Sequence, residues 1–275
     1  MNQYHDYHFY QSFMSNLRLD LFHVTEGRHD YDRVHTFPFN ILTFYFEAGG
    51  DDNEFTEMDT GRIFRPRSGE GFFIPSYTKG RYFQRASCRF IAMHFVLTFL
   101  SGFDLFRESR QIRLIQNPEL FREVADIFSS GQENLNCALR LEALILKLCA
   151  DWLPEGIDER KQEAGARWGE VFAYIREHLD ATLEVAQVAA YAKSTPDAFS
   201  HRFSDDLGIS PKQFIQQELI RKLSVELTRK GASMKEIAER FHFCSEFYFS
   251  TFFKRQTGFS PSQYRKRFAM PESRP

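Results

Sequence analysis

Two copies of one pattern, fifty residues apart, constrain this chain more than any other feature it carries. Gly208-Ile209-Ser210-Pro211-Lys212-Gln213-Phe214 recurs as Gly258-Phe259-Ser260-Pro261-Ser262-Gln263-Tyr264, and Phe199, Ser200 and Phe203 recur as Phe249, Ser250 and Phe253. Each copy has a physical reading. Glycine ends a helix in a left-handed cap. Ser-Pro opens the next helix, with serine as N-cap and proline at the first helical position. Upstream, Val185, Val188, Ala189 and Ala192 fall on one helical face, and Ser194 is placed to cap a helix carrying Phe199 and Phe203 one turn apart. In the second copy Ser233-Met234-Lys235-Glu236 is a capping box, Ile237, Ala238 and Phe241 point inward, and Phe249 and Phe253 repeat the inner pair. A short helix, a turn and an amphipathic helix make the helix-turn-helix pattern, present twice.

The segment between the copies, Pro211 to about Lys230, reads as one amphipathic helix with Phe214, Leu219, Ile220, Leu223 and Leu227 apolar. About 20 residues at roughly 1.5 Å each give a rod near 30 Å. Successive major grooves on one face of a duplex are about 34 Å apart. A connector of that length suits two recognition helices in adjacent grooves of duplex DNA. The faces turned away from the phenylalanine pairs nominate the DNA contacts. In the first unit they are Lys193, Thr195, Pro196, Asp197, Ser200, His201 and Arg202. In the second they are Ser245, Glu246, Phe247, Tyr248, Ser250, Thr251, Lys254 and Arg255. Lys193, Arg202, Lys254 and Arg255 suit phosphates, and Arg265, Lys266 and Arg267 form a basic cluster open to either DNA or solvent.

The string Ile237-Ala238, Phe243, Tyr248-Phe249-Ser250, Phe252-Phe253-Lys254, Gly258, Ser260-Pro261, Tyr264-Arg265 resembles the signature of the AraC/XylS transcription regulators over about Trp168 to Phe268. Three departures stand out. His242 occupies a turn where that family usually has glycine, which takes a left-handed backbone more cheaply. Cys244 stands where serine is common. His201 and Ser204 replace the usual Arg and Lys, implying weaker phosphate attraction from the first unit. The resemblance implies a homodimeric cytoplasmic regulator that meets RNA polymerase, with a cupin-like front domain sensing a small molecule.

Charge divides the same way. Residues 166–275 hold 17 Lys and Arg against 13 Asp and Glu; residues 1–165 hold 18 against 24. A basic back and an acidic front point to different partners. The expected fold class is α+β with two domains: a β-barrel (cupin-like) with a helical hairpin over 1–153, a linker over 154–165, and an all-α double helix-turn-helix over 166–270. Leu19–Thr25, Asn40–Ala48, Gly71–Pro75 and Arg89–Leu97 read as strands separated by Gly- and Asp-rich turns. Pro118–Ser129 and Leu135–Leu153 read as helices, the second apolar enough to need cover on more than one side, by its own barrel or by a second subunit. Gly71 to Tyr77 and Phe90 to Phe95 resemble strands of such front domains. No run of 18 apolar residues suggests a membrane span, and residues 1–13 lack the pattern of a secretion signal. Cys88, Cys137, Cys149 and Cys244 form no C-x-x-C pair.

Two rivals remain open at this stage: a cupin-type metal enzyme and a helical protein-interaction module. The first needs close-set histidines. His5 and His8 lie in the terminal segment, and His23, His29, His35 and His94 stand at spacings that do not suggest one site. The expectation is therefore no catalytic residues, no metal and no cofactor. Phe44, Phe46, Tyr77, Arg81 and His94 are the candidates for lining an effector pocket, aromatic walls with a cation suiting a sugar or a carboxylate.

Overall fold

Side chains along Arg89–Phe99 alternate between two buried environments, and this sets the layout of the front half. The computed structural model describes residues 17–49, 51–99, 103–106, 111–129, 134–153, 157–228 and 231–268; His5 and His8 lie outside them. Arg89–Phe99 is strand β8, seated between β1 (Leu17–Gly27) and β3 (Asn40–Glu47). The sheet continues through β6 (Glu70–Ile74) to β10 (Arg113–Ile115), and β9 (Phe103–Asp104) pairs with the end of β8. A second sheet runs β2 (Tyr31–Thr36), β7 (Lys79–Gln84), β4 (Asn53–Glu57), β5 (Ile63–Phe64). Every strand pair is antiparallel. Where a closed cupin-like barrel was the expectation, the strands form two sheets whose hydrogen bonding, among the described residues, does not close into a ring.

The large sheet is covered on both faces. Ile91, Met93, Phe95 and Leu97 of β8, with Leu42 and Phe44 of β3, pack outward under α1 (Pro118–Ser129) and α2 (Leu135–Trp152). Phe90, Ala92 and Val96, with Ile41 and Tyr45, face inward. Period-two alternation explains the division, since successive strand residues point to opposite faces. Helix α2 buries Leu141, Leu144, Ile145 and Cys149 and leaves Leu135 and Leu139 exposed. Asn134 starts it by accepting a hydrogen bond from the Cys137 backbone N–H at 3.0 Å.

The stretch expected as a linker is helical from Ile157, within α3 (Ile157–Glu177). Its composition is rich in Glu, Lys, Gln, Arg and Ala, all good helix formers, and these prevail over the lack of an apolar stripe. The remaining helices are α4 (Val185–Tyr191), α5 (Pro196–Leu207), α6 (Pro211–Thr228), α7 (Met234–Arg240), α8 (Glu246–Thr257) and α9 (Pro261–Phe268). Their buried faces join the inward face of the sheets in one continuous core.

Candidate nucleic-acid interface

The repeat in sequence is a repeat in structure. Helices α4 and α5 form the first helix-turn-helix; α7 and α8 form the second. Val188 and Ala189 are buried under Phe199 and Phe203, and Ile237 and Ala238 are buried under Phe249 and Phe253. Gly208 ends α5 at φ 65° and Gly258 ends α8 at φ 81°, both left-handed. Ser260 N–H donates to Gln263 Oε1 at 3.0 Å while Gln263 N–H donates to Ser260 Oγ at 3.2 Å, a complete capping box at the start of α9. Ser233 and Glu236 form another at α7.

The first recognition helix is capped by Thr195, not by Ser194 as expected. Thr195 Oγ1 accepts from the Ala198 N–H at 3.4 Å. The reason is Pro196: its fixed φ suits the first helical position, so the residue before it must be the cap. Ser245 does the same for α8, accepting from the Tyr248 N–H at 3.1 Å.

Both turns use one device. Lys193 at φ 53° and His242 at φ 55° are left-handed. In each, the following N–H reaches back across the turn, Ser194 to the Ala189 carbonyl and Phe243 to the Ala238 carbonyl, both at 2.9 Å. The second turn is one residue longer, because Phe243 and Cys244 separate His242 from its cap where Ser194 alone separates Lys193 from its own. His242 therefore keeps the backbone a glycine would take. Its Nδ1 pairs with Asp180 Oδ2 at 2.7 Å. Burial pushes the Asp180 carboxyl up, and the hydrogen bonds from His242 and Thr182 more than reverse it, leaving it below the ordinary range. The neighbouring Ala181 N–H donates to the Phe241 carbonyl at 2.9 Å. This tie between the end of α3 and the second turn was not legible beforehand, since no local pattern links residues sixty apart.

Of the fifteen nominated DNA contacts, thirteen are exposed, and Ser200 and Ser250 are half-buried. Ser200 Oγ donates to the Pro196 carbonyl at 2.7 Å, inside its own helix. Phe247 is 81% exposed and Tyr248 50%. The basic cluster of the last helix divides. Lys266 is exposed. Arg265 Nε donates to the Leu227 carbonyl at 3.3 Å. Arg267 lies over the Tyr31 ring at 3.9 Å and reaches His29 Nε2 at 2.9 Å.

Those Arg267 contacts belong to an aromatic seam where the second unit docks on the front sheets. Phe259 stacks on His35 with ring centroids 4.0 Å apart. Phe268 stands edge-on to His23, at 5.4 Å, and to Phe37, at 6.1 Å, and packs on His94 at 5.4 Å. Arg221 of α6 bonds Asp20 of β1 at 3.1 Å and Glu218 at 2.6 Å. The four front-half histidines read from spacing as unrelated thus gather on one surface, because β1, β2, β8 and the connection between β1 and β2 present them to the segment Phe259 to Phe268. Among the described residues no group of three or more His, Cys, Asp or Glu is arranged to hold a metal ion. Burial, reinforced by the Arg267 cation, lowers His23 to about 4. Burial lowers His35 to about 4, with Arg267 and Arg33 reinforcing it and the Thr257 carbonyl opposing it.

The five residues expected around an effector do not converge. Phe44 meets Phe121 edge-on at 5.1 Å and Phe46 meets it at 5.7 Å, both on the helix-covered outer face. The strand pleat dictates this, since they share a parity with Leu42. Arg81 is exposed and paired to Asp32 through two 2.8 Å bonds. Only His94 and Tyr77 turn toward the C-terminal half, Tyr77 near enough to Arg221 to influence its charge.

Two helix-turn-helix units stand in tandem behind a two-sheet domain. Residues 188–267 match the family described as a helix-turn-helix domain. The chain is 32% identical over 130 residues to the uncharacterized HTH-type transcriptional regulator YfiF of Bacillus subtilis, covering 46% of this chain and 41% of that one. It is 29% identical over 174 residues to the arabinose operon regulatory protein of Salmonella typhimurium, covering 60% and 57%. The matches span roughly two-fifths to three-fifths of these relatives' lengths. In fold, the chain is similar to the apo form of a single-residue variant of ToxT from Vibrio cholerae, with TM-score 0.64 at 10% identity, covering 92% of this chain and 98% of that one. It is also similar to wild-type ToxT bound to an unsaturated fatty acid, with TM-score 0.57 at 11% identity, covering 94% and 98%. Among the described residues no helix is long and apolar enough to cross a membrane.

Proposed function

We propose that this chain is a sequence-specific DNA-binding transcription regulator, controlled by a small molecule held in its front domain, and not an enzyme. One observation carries the reading: two matched helix-turn-helix units with exposed recognition faces are joined by a single 18-residue helix. At about 1.5 Å per residue α6 spans about 27 Å, commensurate with the about 34 Å turn of a duplex. The fifteen exposed or half-exposed residues named above are the proposed contact set, with Lys254 and Arg255 on phosphates. Retardation of duplex fragments flanking the chain's own gene, titrated against salt, tests this. Affinity should fall steeply with ionic strength, and Lys254→Ala should reduce the slope by about one. Retention of no duplex even at low salt would defeat the reading.

Control is proposed to pass through the aromatic seam. A ligand that enters between His94, Phe37 and Phe39 competes with Phe268 for the same rings, so it favours release of the second unit; a ligand without such a preference would shift nothing. A sugar or carboxylate remains the proposed class, and the fatty acid in ToxT is a carboxylate of this kind. A homodimer formed through the exposed Leu135 and Leu139 of α2, contact with RNA polymerase, and a cytoplasmic setting complete the proposal.

A further inference from the structure

We infer that the two recognition helices read opposite base chemistries, the second reading thymine methyl groups through Phe247 and the first reading a C·G-rich half-site through Asp197 and His201. This rests on the DNA-binding reading above and deepens it. The repeat supplies the correspondence. The capping residues Thr195 and Ser245 stand at equivalent positions, so Asp197 matches Phe247 and His201 matches Thr251. Within each helix the two positions lie four apart, hence on one face. All four are exposed.

Their chemistry differs completely. Asp197 is a pure acceptor, suited to the cytosine N4 amino group. A ring N–H of His201 can donate to guanine N7 or O6. Phe247 neither donates nor accepts, so it cannot make the paired hydrogen bonds that identify guanine or adenine. What it can recognise in a major groove is the one apolar group there, the 5-methyl of thymine. Thr251 adds a second methyl on the same face. The placement reinforces this. Phe247 is the most exposed of the large apolar residues among those described, at 81%. It sits in the first turn of α8, the part of a recognition helix that meets base edges. The packing of the second unit is carried instead by Phe249, Phe252 and Phe253, all buried. The substitution Arg202 to Phe252 between the copies removes a further donor from the second face, because Phe252 is buried while Arg202 is exposed.

The test uses the full chain and a randomised duplex library. Duplexes retained at low salt are sequenced, and the enriched site is resynthesised with deoxyuridine replacing thymine, which deletes only the methyl group. The expected result is a thymine-bearing half-site beside a C·G-rich one. Loss of the critical methyl should weaken binding about fourfold, the equivalent of removing one buried carbon, ~0.8 kcal/mol. Phe247→Ala should bind the thymine and deoxyuridine duplexes equally, and Phe247→Leu should restore part of the difference. Phe247 is on the surface, so both variants should fold. If wild-type protein retains duplexes but is indifferent to deoxyuridine, or if Phe247→Ala keeps the full methyl dependence, the inference fails while the regulator reading stands. If no duplex is retained, both fail.

Discussion

At the residue scale, His242 shows how one side chain can occupy a glycine position. A left-handed backbone costs a residue with a Cβ roughly 1–2 kcal/mol. The contact with Asp180, at 2.7 Å, offsets much of that. The two terms can be separated by mutation. His242→Ala keeps the backbone cost and loses the partner, so it should lower stability by about 1 kcal/mol, the usual net value of one such bond. His242→Gly loses the partner too but relieves the backbone, and should stay close to wild type. Urea midpoints of the two variants check this; an alanine variant as stable as wild type would show that the imidazole contact contributes nothing, and one as stable as the glycine variant would show that the left-handed backbone costs nothing. The sequence singled out His242 as a departure from the turn's usual residue. It could not supply Asp180, because the pairing depends on where α3 ends in space.

At the scale of elements, the two end-of-helix glycines offer a matched pair. Gly208 and Gly258 are both left-handed, but their surroundings differ. A Cβ on Gly208 would have nothing within 4 Å, whereas one on Gly258 would lie 2.6 Å from His35 Nδ1. Gly208→Ala should therefore cost only the backbone term, about 1 kcal/mol. Gly258→Ala should cost roughly 2–4 kcal/mol, because displacement of a packed ring adds to it. Equal losses in thermal or urea unfolding would mean that α8 does not rest on β2 in solution. The same contrast explains what was legible. The helical repeat was read almost to the residue because its caps, glycines and inner phenylalanines are local signals. The four strands read from sequence all belong to the large sheet, which is apolar on both faces. The small sheet was missed: β7, for example, alternates exposed Lys79 and Arg81 with buried Gly80, and so few apolar residues give no period to find. The scatter of the effector candidates has a related reason. Pleat parity sends Phe44 and Phe46 to the outer face, and parity relative to a core is visible only once the sheet's neighbours are known.

At the scale of the whole molecule, the front sheets and the second helix-turn-helix unit share one core, and its chemistry makes their association depend on pH. His23 and His35 are held near 4 while docked, chiefly by burial, with the Arg267 cation acting in the same direction. His94 is lowered well below the usual imidazole range by burial, with His23 and Arg267 adding to the effect, and His29 is lowered by burial and Arg267 against the opposing pull of Asp30. Once separated, these rings return toward 6.5. The undocked state therefore binds more protons, and the stability of docking is complete above about pH 6.5 and lost as pH falls toward 4. His23 and His35 protonating on release would by themselves bring the slope toward about 2.7 kcal/mol per pH unit within that window, and His94 and His29 add to it in the same direction. The interval from pH 7 to pH 5 isolates this effect, since ordinary carboxylates stay ionised above about 4.3. Amide hydrogen exchange over Gly258–Phe268, corrected for the intrinsic pH dependence of exchange, should show protection falling across that interval. His35→Phe, which retains the ring stacked on Phe259 but cannot take up a proton, should shallow the fall. Phe268→Ala should weaken docking at every pH, by the ~3–5 kcal/mol typical of a buried phenylalanine, without removing the pH slope of whatever docking remains. Protection that is the same at pH 5 as at pH 7 in the wild-type chain would mean that the histidines are not enclosed by the C-terminal helix, and the seam would then lose its place as the link between the two halves.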